Sequence, residues 1–300
     1  MTSAYEELKA GMRELAQIQA WQLREKPVHG MRRVLPLEGR ELTAVFYPGK
    51  PDSPVLLCCY GGGFIMGSAV EDDDCWAELQ QKLGVTLISL TYRKAPDNPF
   101  PHAVYDVYDS IEYIRTHSEE FGITSDDWSV CGFSAGANLA ATVCILDARR
   151  GGKLKLRRQI LNYPYLDLAV RPKDKGHPES ERLIYNLFAE YYCGAHNTHD
   201  PLISPVYAPE EDLVGLPEAI VLLAEEDVLL AEGARYACKL RAAGVPVKSR
   251  IAKEMPHGYM EIAFQEPGPY LSPRATEQLL NGAIIEEKNT TIDYIKHCLK

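Results

Sequence analysis

A five-residue motif in the middle of the chain, G-F-S-A-G at residues 132–136, constrains the possible fold more than any other stretch. An apolar, β-prone run at residues 128–133 leads into it, and a helix-forming run at residues 135–149 leads out of it. Glycine two residues before and after the serine permits a sharp turn, because a Cβ at either position would clash with neighbouring backbone. The motif therefore predicts that Ser134 presents its hydroxyl at a strand-to-helix turn, at the positive end of a helix dipole. A turn that only caps the helix is the competing interpretation.

Strand-like and helix-like runs alternate along the chain. Residues 54–60 are continuously apolar, which is typical of a strand buried on both faces. Residues 33–37 and 42–47 alternate in polarity and predict a hairpin at a sheet edge. The alternation predicts an α/β fold with a mostly parallel, doubly wound sheet. The remaining predicted strands lie near 85–92, 128–133, 159–163, 219–224 and 245–251, and the predicted helices near 72–83, 102–117, 135–149, 230–243 and 273–299.

Two segments stand outside this alternation. Residues 168–215 are rich in charge and proline and contain one predicted helix at 179–193, and residues 4–25 form an amphipathic pattern. A long excursion between sheet elements suggests a lid or cap. We expect a single domain over residues 1–300, with cap elements at about 1–30 and 168–215.

Composition excludes several classes of partner. A formal net charge of −10 argues against nucleic acid and against an anionic membrane surface. The chain shows no apolar leader near its start and no run approaching about 18 apolar residues. The eight cysteines include no C-x-x-C pair. We therefore expect a reduced, cytoplasmic protein without structural disulfides or a metal site.

A serine hydroxyl needs a neighbouring base to become a nucleophile. His257 lies in a loop marked by proline and glycine after a predicted strand, where its side chain can reach a site. Asp227 follows another predicted strand and lies directly before a helix, so its carboxylate can orient the histidine. Glu225 and Glu226 compete with it, and Glu226 is the alternative. All three acids could instead serve only as helix-capping groups.

The other seven histidines fit the role of base less well. Five lie in polar stretches and are expected to be solvated, one enters a helix and one lies on the C-terminal helix. The five in polar stretches are His29, His117, His177, His196 and His199. His102 enters a helix, and His297 lies on the C-terminal helix.

A glycine run at residues 60–64, Y-G-G-G-F, leaves the buried strand that ends near residue 60. Consecutive glycines allow backbone N–H groups to approach a ligand closely. We predict that the N–H groups of Gly62, Gly63 and Ala135 form an oxyanion hole. A flexible loop and a phosphate-binding loop are the alternatives, but the run lacks both the G-K-[ST] ending and the G-x-G-x-x-G spacing.

Together these motifs resemble the hormone-sensitive-lipase-like branch of the α/β-hydrolases over about residues 54–265. The serine, aspartate and histidine occur in the order that this fold uses. The segment Y-R-K-A-P-D at residues 92–97 is similar to the family's Y-R-L-A-P-E, and D-P-L-I-S-P at 200–205 also resembles a family segment. Arg93 is expected to pair with a buried acid, with Asp106 as the candidate.

The sequence departs from the family pattern at three positions. Tyr60 replaces the histidine of the family's H-G-G-G loop, so a phenol must tether this loop differently or the loop must lie differently. Phe133 and Ala137 replace residues of the family's G-D-S-A-G-G motif. The form G-F-S-A-G is also common in related enzymes that deacetylate sugars.

The resemblance implies an α/β-hydrolase fold with helical cap elements and a cofactor-independent serine carboxylesterase. Such an enzyme would hydrolyse short-chain acyl esters through an acyl-enzyme, with Ser134, His257 and Asp227 as the catalytic triad. The expected partner is a small-molecule ester, and a homodimer is possible. Sugar-ester deacetylation is the main alternative. Peptide cleavage, long-chain lipase activity and a non-catalytic small-molecule receptor remain further alternatives.

Overall fold

Eight strands form one sheet in the computed structural model of the protein, which describes residues 2–268 and 271–300, without the side chains at 2–9, 12, 13, 16 and 20. In chain order the strands are β1 Met31–Leu37, β2 Arg40–Tyr47, β3 Val55–Cys59, β4 Thr86–Leu90, β5 Trp128–Phe133, β6 Arg158–Asn162, β7 Glu218–Ala224 and β8 Val247–Ala252. Their spatial order is β1-β2-β4-β3-β5-β6-β7-β8. β1 pairs antiparallel with β2, and β2 pairs antiparallel with β4. The other neighbours are parallel, so the mostly parallel sheet with an edge hairpin is confirmed.

The central strands have no solvated face. Every residue of β3, β4 and β5 is buried, as expected for parallel strands that are covered on both sides. The register places Cys59 of β3 beside Gly132 of β5, and Gly132 beside Leu161 of β6. The residues that follow these three strands therefore meet at one edge of the sheet, where open α/β sheets bind their ligands.

Helices cover both faces of the sheet. In chain order they are α1 Thr2–Glu25, α2 Asp73–Leu83, α3 His102–Thr116, α4 Ala135–Arg149, α5 Pro172–Lys175, α6 Glu179–Cys193, α7 Glu210–Leu213, α8 Leu230–Ala242, α9 Tyr259–Ile262, α10 Pro273–Leu280 and α11 Ala283–Cys298. On one face α4 packs between α3 and the central strands, and α8 packs on β7. On the other face α2 and α11 pack together. The doubly wound arrangement is confirmed.

Two features of the helices differ from the prediction. The helical region expected at 273–299 is two helices, because Gly282 takes a left-handed conformation with φ +84° and interrupts it. The helices α5, α7 and α9 have only four residues each and were not predicted, because so short a segment has no measurable helical periodicity.

A buried carboxylate joins the edge hairpin to the sheet's helical layer. Asp106 on α3 is fully buried and accepts hydrogen bonds from the guanidinium groups of Arg93 and Arg40, at 2.8 and 2.6 Å. It also accepts the backbone N–H of Arg93 at 2.8 Å. The expected pair of Arg93 with Asp106 is confirmed, and Arg40 is a second partner that sequence patterns did not indicate.

The chain leaves the sheet after β6 and returns to it at β7, and we call the intervening residues 163–217 the β6–β7 excursion. One carboxylate holds both ends of its outer part. Asp167 is buried and accepts the backbone N–H groups of Ala169 and Val170, each at 3.1 Å. It also accepts the hydroxyl of Tyr207, forty residues later, at 3.0 Å. The excursion therefore departs and returns at the same point.

Cysteines behave as small core residues. All eight are free thiols, and all except Cys238 are buried. Among residues 2–268 and 271–300, no helix combines the length and the apolar character that a membrane crossing requires. The division into one domain with cap elements at 1–30 and 168–215 stays a prediction, and Met1 lies outside the described residues.

Candidate active site

The turn between β5 and α4 holds Ser134 in a conformation that few residues adopt. Its φ is +52°, in the left-handed region, which is costly for a residue with a Cβ. The turn is very crowded. A Cβ on Gly132 would lie 2.1 Å from the carbonyl oxygen of Gly136, and a Cβ on Gly136 would lie 2.1 Å from that of Cys59. The glycines predicted from the motif are therefore required by the backbone.

Ser134, His257 and Asp227 lie in one hydrogen-bonded line. The distance from Ser134 Oγ to His257 Nε2 is 2.9 Å, and the distance from His257 Nδ1 to Asp227 Oδ2 is 2.7 Å. Because a carboxylate only accepts, Nδ1–H donates to Asp227 and Nε2 accepts from the serine hydroxyl. The other oxygen of Asp227 accepts the backbone N–H of Leu229 at 2.9 Å, which fixes the carboxylate. These three side chains come from loops that follow β5, β7 and β8.

Electrostatic interactions raise the pKa of the His257 imidazole. Burial is the largest single influence and lowers the pKa of His257, but the charge and hydrogen bond of Asp227, together with two further acids, raise the pKa above the ordinary value of 6.5. Glu261 and Glu181 add to this increase. The surroundings therefore stabilise the imidazolium form of His257.

The competing acids have other partners. Glu226 pairs with Arg274 at 2.5 Å, and Glu225 accepts the backbone N–H of Glu254 at 2.8 Å. Asp227 has a nearly fully buried side chain, whereas Glu226 is about a third exposed. Of the three acids, Asp227 is the one that is hydrogen-bonded to His257.

The glycine loop lies directly against the serine turn. A Cβ on Gly61 would lie 3.6 Å from the Cβ of Ser134. Gly62 and Gly63 have φ of +105° and +60°, and the carbonyl of Gly62 accepts the N–H groups of two following residues. Among the described residues, no turn or loop hydrogen bond uses the N–H groups of Gly62, Gly63 or Ala135. These three N–H groups are therefore not used by turns or loops, and they belong to the loop that lies against Ser134 at Gly61 and to the residue that follows Ser134.

The phenol of Tyr60 anchors the loop together with a second tyrosine. The rings of Tyr60 and Tyr92 stack with centroids 4.4 Å apart, and both are buried. The Tyr92 hydroxyl donates to the carbonyl of Tyr60 at 2.9 Å, whereas the Tyr60 hydroxyl donates to the carbonyl of Tyr92 at 3.4 Å. The shorter bond is the one that Tyr92 donates. Tyr92 therefore holds the loop more tightly than Tyr60, which is the residue that departs from the family pattern.

A cavity of about 350 Å³ opens beside His257 and Asp227. Helix α6 contributes one wall, the loops that carry the acid and the histidine contribute another, and the segment at 271–275 closes the third side. The side chains from these elements are Pro178, Glu181 and Tyr185, then Glu226, Val228 and Pro256, then Leu271, Ser272, Arg274 and Ala275. The same helix touches the glycine loop, because a Cβ on Gly63 would lie 2.4 Å from the ring of Phe188.

Several residues near the site were not predicted from the sequence. Glu261 on α9 accepts the hydroxyl of Tyr163, whose ring meets that of His257 edge-on at 5.1 Å. Glu261 lies four residues after His257, but His257 precedes α9, which begins at Tyr259, so no helical spacing in the sequence links the two side chains. Nothing in the sequence indicated that Tyr185 and Phe188 reach the site, since their contacts come from distant elements.

The prediction that His177 is solvated is wrong. Its side chain is fully buried, its ring lies 3.9 Å from that of Tyr185, and its Nδ1 lies 3.4 Å from Glu181. Burial lowers the pKa of His177, against the raising effect of Glu181. The polar residues around it in sequence point outward, while the excursion folds the imidazole inward against α6.

One group of metal-type side chains occurs in the described part of the chain, at His29, Asp73 and Asp74. Each already has a protein partner. His29 Nε2 and Asp74 lie 2.7 Å apart, and Asp73 accepts the hydroxyl of Tyr47 at 2.6 Å. Hydrogen bonding within the protein accounts for this arrangement.

Comparison with known proteins agrees with this architecture. Residues 56–261 match the model of a family described as having the alpha/beta hydrolase fold. An arylesterase of Saccharolobus solfataricus is 33% identical over 262 residues, covering 84% of this chain and 81% of that protein. The esterase LipI of Mycobacterium tuberculosis is 29% identical over 87% of this chain and 84% of its own length.

Solved structures show the same fold. A Pyrobaculum calidifontis esterase superposes with a TM-score of 0.76 at 25% identity, covering 99% of this chain and 93% of that one. The thermostable carboxylesterase EstE1, cloned from a metagenomic library, superposes with a TM-score of 0.74 at 28% identity, covering 96% and 98%. The chain therefore belongs to the α/β-hydrolase family, in its hormone-sensitive-lipase-like esterase branch.

Proposed function

We propose that this carboxylic ester hydrolase cleaves short-chain acyl esters through an acyl-enzyme formed on Ser134. One observation carries the proposal, the continuous hydrogen-bonded line of Ser134, His257 and Asp227 at 2.9 and 2.7 Å. This is the arrangement in which a histidine activates a serine and a carboxylate fixes the tautomer of the histidine. Relatives named arylesterase and esterase support the reaction class.

In the first half-reaction the Oγ of Ser134 attacks the ester carbonyl while its proton moves to Nε2 of His257. The C–O bond to the alcohol then breaks, and the imidazolium gives the proton to the leaving alkoxide. In the second half, Nε2 takes a proton from water, the hydroxide attacks the acyl carbon, and Ser134 leaves with that proton as the acid is released. Asp227 stabilises the imidazolium in both halves.

The negative oxygen that forms in each half needs fixed donors. Gly62, Gly63 and Ala135 are the proposed donors, because no described turn or loop hydrogen bond uses their N–H groups, Gly61 of the same loop lies against Ser134, and Ala135 directly follows Ser134. Ala135 begins α4, so the dipole of that helix adds to the stabilisation.

We further propose that the β6–β7 excursion acts as a cap that limits substrate size. The ring of Phe188 covers Gly63, and Tyr185 faces the cavity beside His257. The cavity of about 350 Å³ beside His257 is bounded on one side by Tyr185 of this excursion, which we expect to limit the length of the group that binds there. Short esters are therefore the expected substrates.

Sugar-ester deacetylation is the second candidate. Its support is the polar rim of the cavity, where Glu181, Glu226, Ser272 and Arg274 offer both donors and acceptors for hydroxyl groups. Preference for acetylated sugars over simple acetate esters of similar size would favour this candidate.

Hydrolysis of p-nitrophenyl acetate, butyrate, octanoate and palmitate by the wild type and by Ser134→Ala tests the proposal. We expect rapid cleavage of acetate and butyrate, weak cleavage of octanoate and none of palmitate. Removing a triad serine typically lowers kcat by about 10⁴-fold or more, so Ser134→Ala should be inactive. Trapping of a wild-type acyl-enzyme by mass spectrometry would locate the acyl group. Equal activity in the folded variant and the wild type would refute the role of Ser134.

A further inference from the structure

A second carboxyl group lies beside the triad without belonging to it. Glu261 lies three residues after Gly258, on the short helix α9 that follows the histidine loop. Its Oε1 lies 3.7 Å from the position of a Cβ on Gly61, and the Cβ of Ser134 lies 3.6 Å from the same position. The carboxyl group therefore stands close to the serine turn.

A tyrosine connects this carboxyl group to the catalytic histidine. The hydroxyl of Tyr163 donates to Oε2 of Glu261, and the Tyr163 ring meets the His257 ring edge-on, with centroids 5.1 Å apart and planes at 69°. Tyr163 itself has φ +35°, a left-handed conformation that is strained for an aromatic residue. Strain of this kind persists where the surroundings impose it, and it often marks functional sites.

Glu261 lines a cavity of about 400 Å³ whose other charged groups are mostly acidic. Burial raises the pKa of Glu261 to about 7, although the Tyr163 hydrogen bond and His257 both act to lower it. The ionisable groups that face this cavity or influence its rim come from the segment after the glycine loop, from the residue that follows α1, and from α2 and α11. They are Glu71, Asp72, Asp74, Cys75, Lys26 and Lys288.

We propose that Glu261 is a positioning residue for His257, acting with Tyr163 to hold the imidazole and supplying a second negative charge that stabilises the imidazolium during ester hydrolysis. The proposal rests on the function proposed above. Asp227 stays the direct hydrogen-bond partner, and Glu261 acts on the same ring through the edge of Tyr163 and through its charge.

The charge of Glu261 acts on two developing charges with opposite signs. It stabilises the imidazolium and disfavours the oxyanion. We expect the effect on His257 to prevail, because Tyr163 contacts both the carboxyl group and the His257 ring, whereas the proposed N–H donors stabilise the oxyanion directly. Removing the charge should therefore weaken the base more than it helps the oxyanion.

Glu261→Gln tests this inference, because the amide oxygen still accepts the Tyr163 hydroxyl while the charge is lost. At pH 8 we expect kcat for p-nitrophenyl butyrate to fall roughly three- to tenfold with little change in KM, since the imidazolium forms only during the reaction. The midpoint of the acidic limb of kcat/KM should also move to lower pH, because His257 loses a negative neighbour. A purely structural role for Glu261 would not move this midpoint.

The matched control is Asp74→Asn, which removes an exposed carboxylate from the same cavity. Its kcat should stay within twofold of the wild-type value, and its pH midpoint should equal that of the wild type within error. Tyr163→Phe separates the effect of the charge from the effect of positioning. It keeps the charge of Glu261 but removes the hydrogen bond that ties the Tyr163 ring, and through it the His257 ring, to the carboxylate. It should lower kcat with a smaller change in the pH midpoint than Glu261→Gln produces.

Unchanged kcat and an unchanged midpoint in folded Glu261→Gln would overturn the proposal, as would a shift to higher pH. If that variant does not fold, Glu261→Asp replaces it. The shorter arm withdraws the charge from Tyr163, and an unaltered pH profile would overturn the proposal equally. Failure of the proposed function is distinguishable, since it appears as activity that survives Ser134→Ala, whereas failure here leaves activity dependent on Ser134.

Discussion

At the scale of single residues, the sequence identifies the parts of the site that backbone geometry dictates. Gly132 and Gly136 could be predicted because the turn excludes any larger residue there. A Cβ at either position would lie about 2.1 Å from a carbonyl oxygen. His257 and Asp227 could be predicted because they follow recognisable strands in a fixed order. Glu261 could not, because its proposed role depends on a contact with Tyr163 that spans 98 positions of the chain.

The ionisation of His257 leads to a prediction about pH. The base must be neutral to accept the serine proton, and its pKa is raised above 6.5. Activity should therefore be fully present well above this pKa and be lost as the pH falls through it, so the acidic midpoint of kcat/KM should lie above 6.5. A pH–rate profile with p-nitrophenyl butyrate measures it.

Asp227→Asn provides the control for that profile. Losing the carboxylate removes the main cause that raises the pKa, and it also releases the tautomer, so kcat should fall by about 10⁴-fold. A wild-type midpoint below 6.5 would contradict the assigned surroundings of His257.

At the scale of elements, long strands and helices follow from sequence patterns, while short ones and contacts between distant elements do not. The helix at 179–193 is predicted to the residue, yet nothing in its pattern shows that Phe188 covers Gly63. The outward placement predicted for His177 fails for the same reason, since local polarity says little about how an excursion folds back.

The tether of the glycine loop can be tested by two matched substitutions. Tyr92→Phe removes the 2.9 Å hydrogen bond to the carbonyl of Tyr60, whereas Tyr60→Phe removes only the 3.4 Å bond in the other direction. Both keep the stacked rings. We expect Tyr92→Phe to lower kcat by about tenfold, through a less ordered oxyanion hole, and Tyr60→Phe to lower it by less than about threefold. The reverse ranking in steady-state kinetics would assign the tether to Tyr60.

At the scale of the whole molecule, the mostly parallel sheet and its helical layers follow from the alternation of strands and helices, whereas the spatial order of the strands does not. Buried polar contacts that the pattern does not show also hold the elements together. Asp106 is the clearest case, because it joins the hairpin, α3 and the segment after β4 through Arg40 and Arg93. The family motif indicated Arg93. Arg40 lies in a polar hairpin turn whose sequence does not distinguish it from other hairpin turns, so nothing indicated that it contacts Asp106. The cytoplasmic location and the possible homodimer stay predictions.

Asp106→Asn should therefore destabilise the fold. The amide keeps the size of the carboxylate but leaves two guanidinium groups without their buried counter-charge, and loss of such a partner costs about 3 kcal/mol. Urea unfolding followed by circular dichroism would measure this loss. Asp126→Asn is the matched control, because Asp126 is fully exposed opposite Arg115 and should change the free energy of unfolding by less than about 0.5 kcal/mol. Equal effects of both variants would contradict a structural role for Asp106.

The anchoring of the β6–β7 excursion at Asp167 has a consequence for how enzymes of this design diversify. The backbone near Ala169 and the hydroxyl of Tyr207 meet at the Asp167 carboxylate, which holds together the two ends of the segment between the parallel strands β6 and β7. Insertions, deletions or an entire replacement segment can be accepted there at little cost in loop-closure entropy, which grows only slowly with length. In the proposed cap, substrate choice could then change through this segment while the strands that carry Ser134, Asp227 and His257 keep their positions.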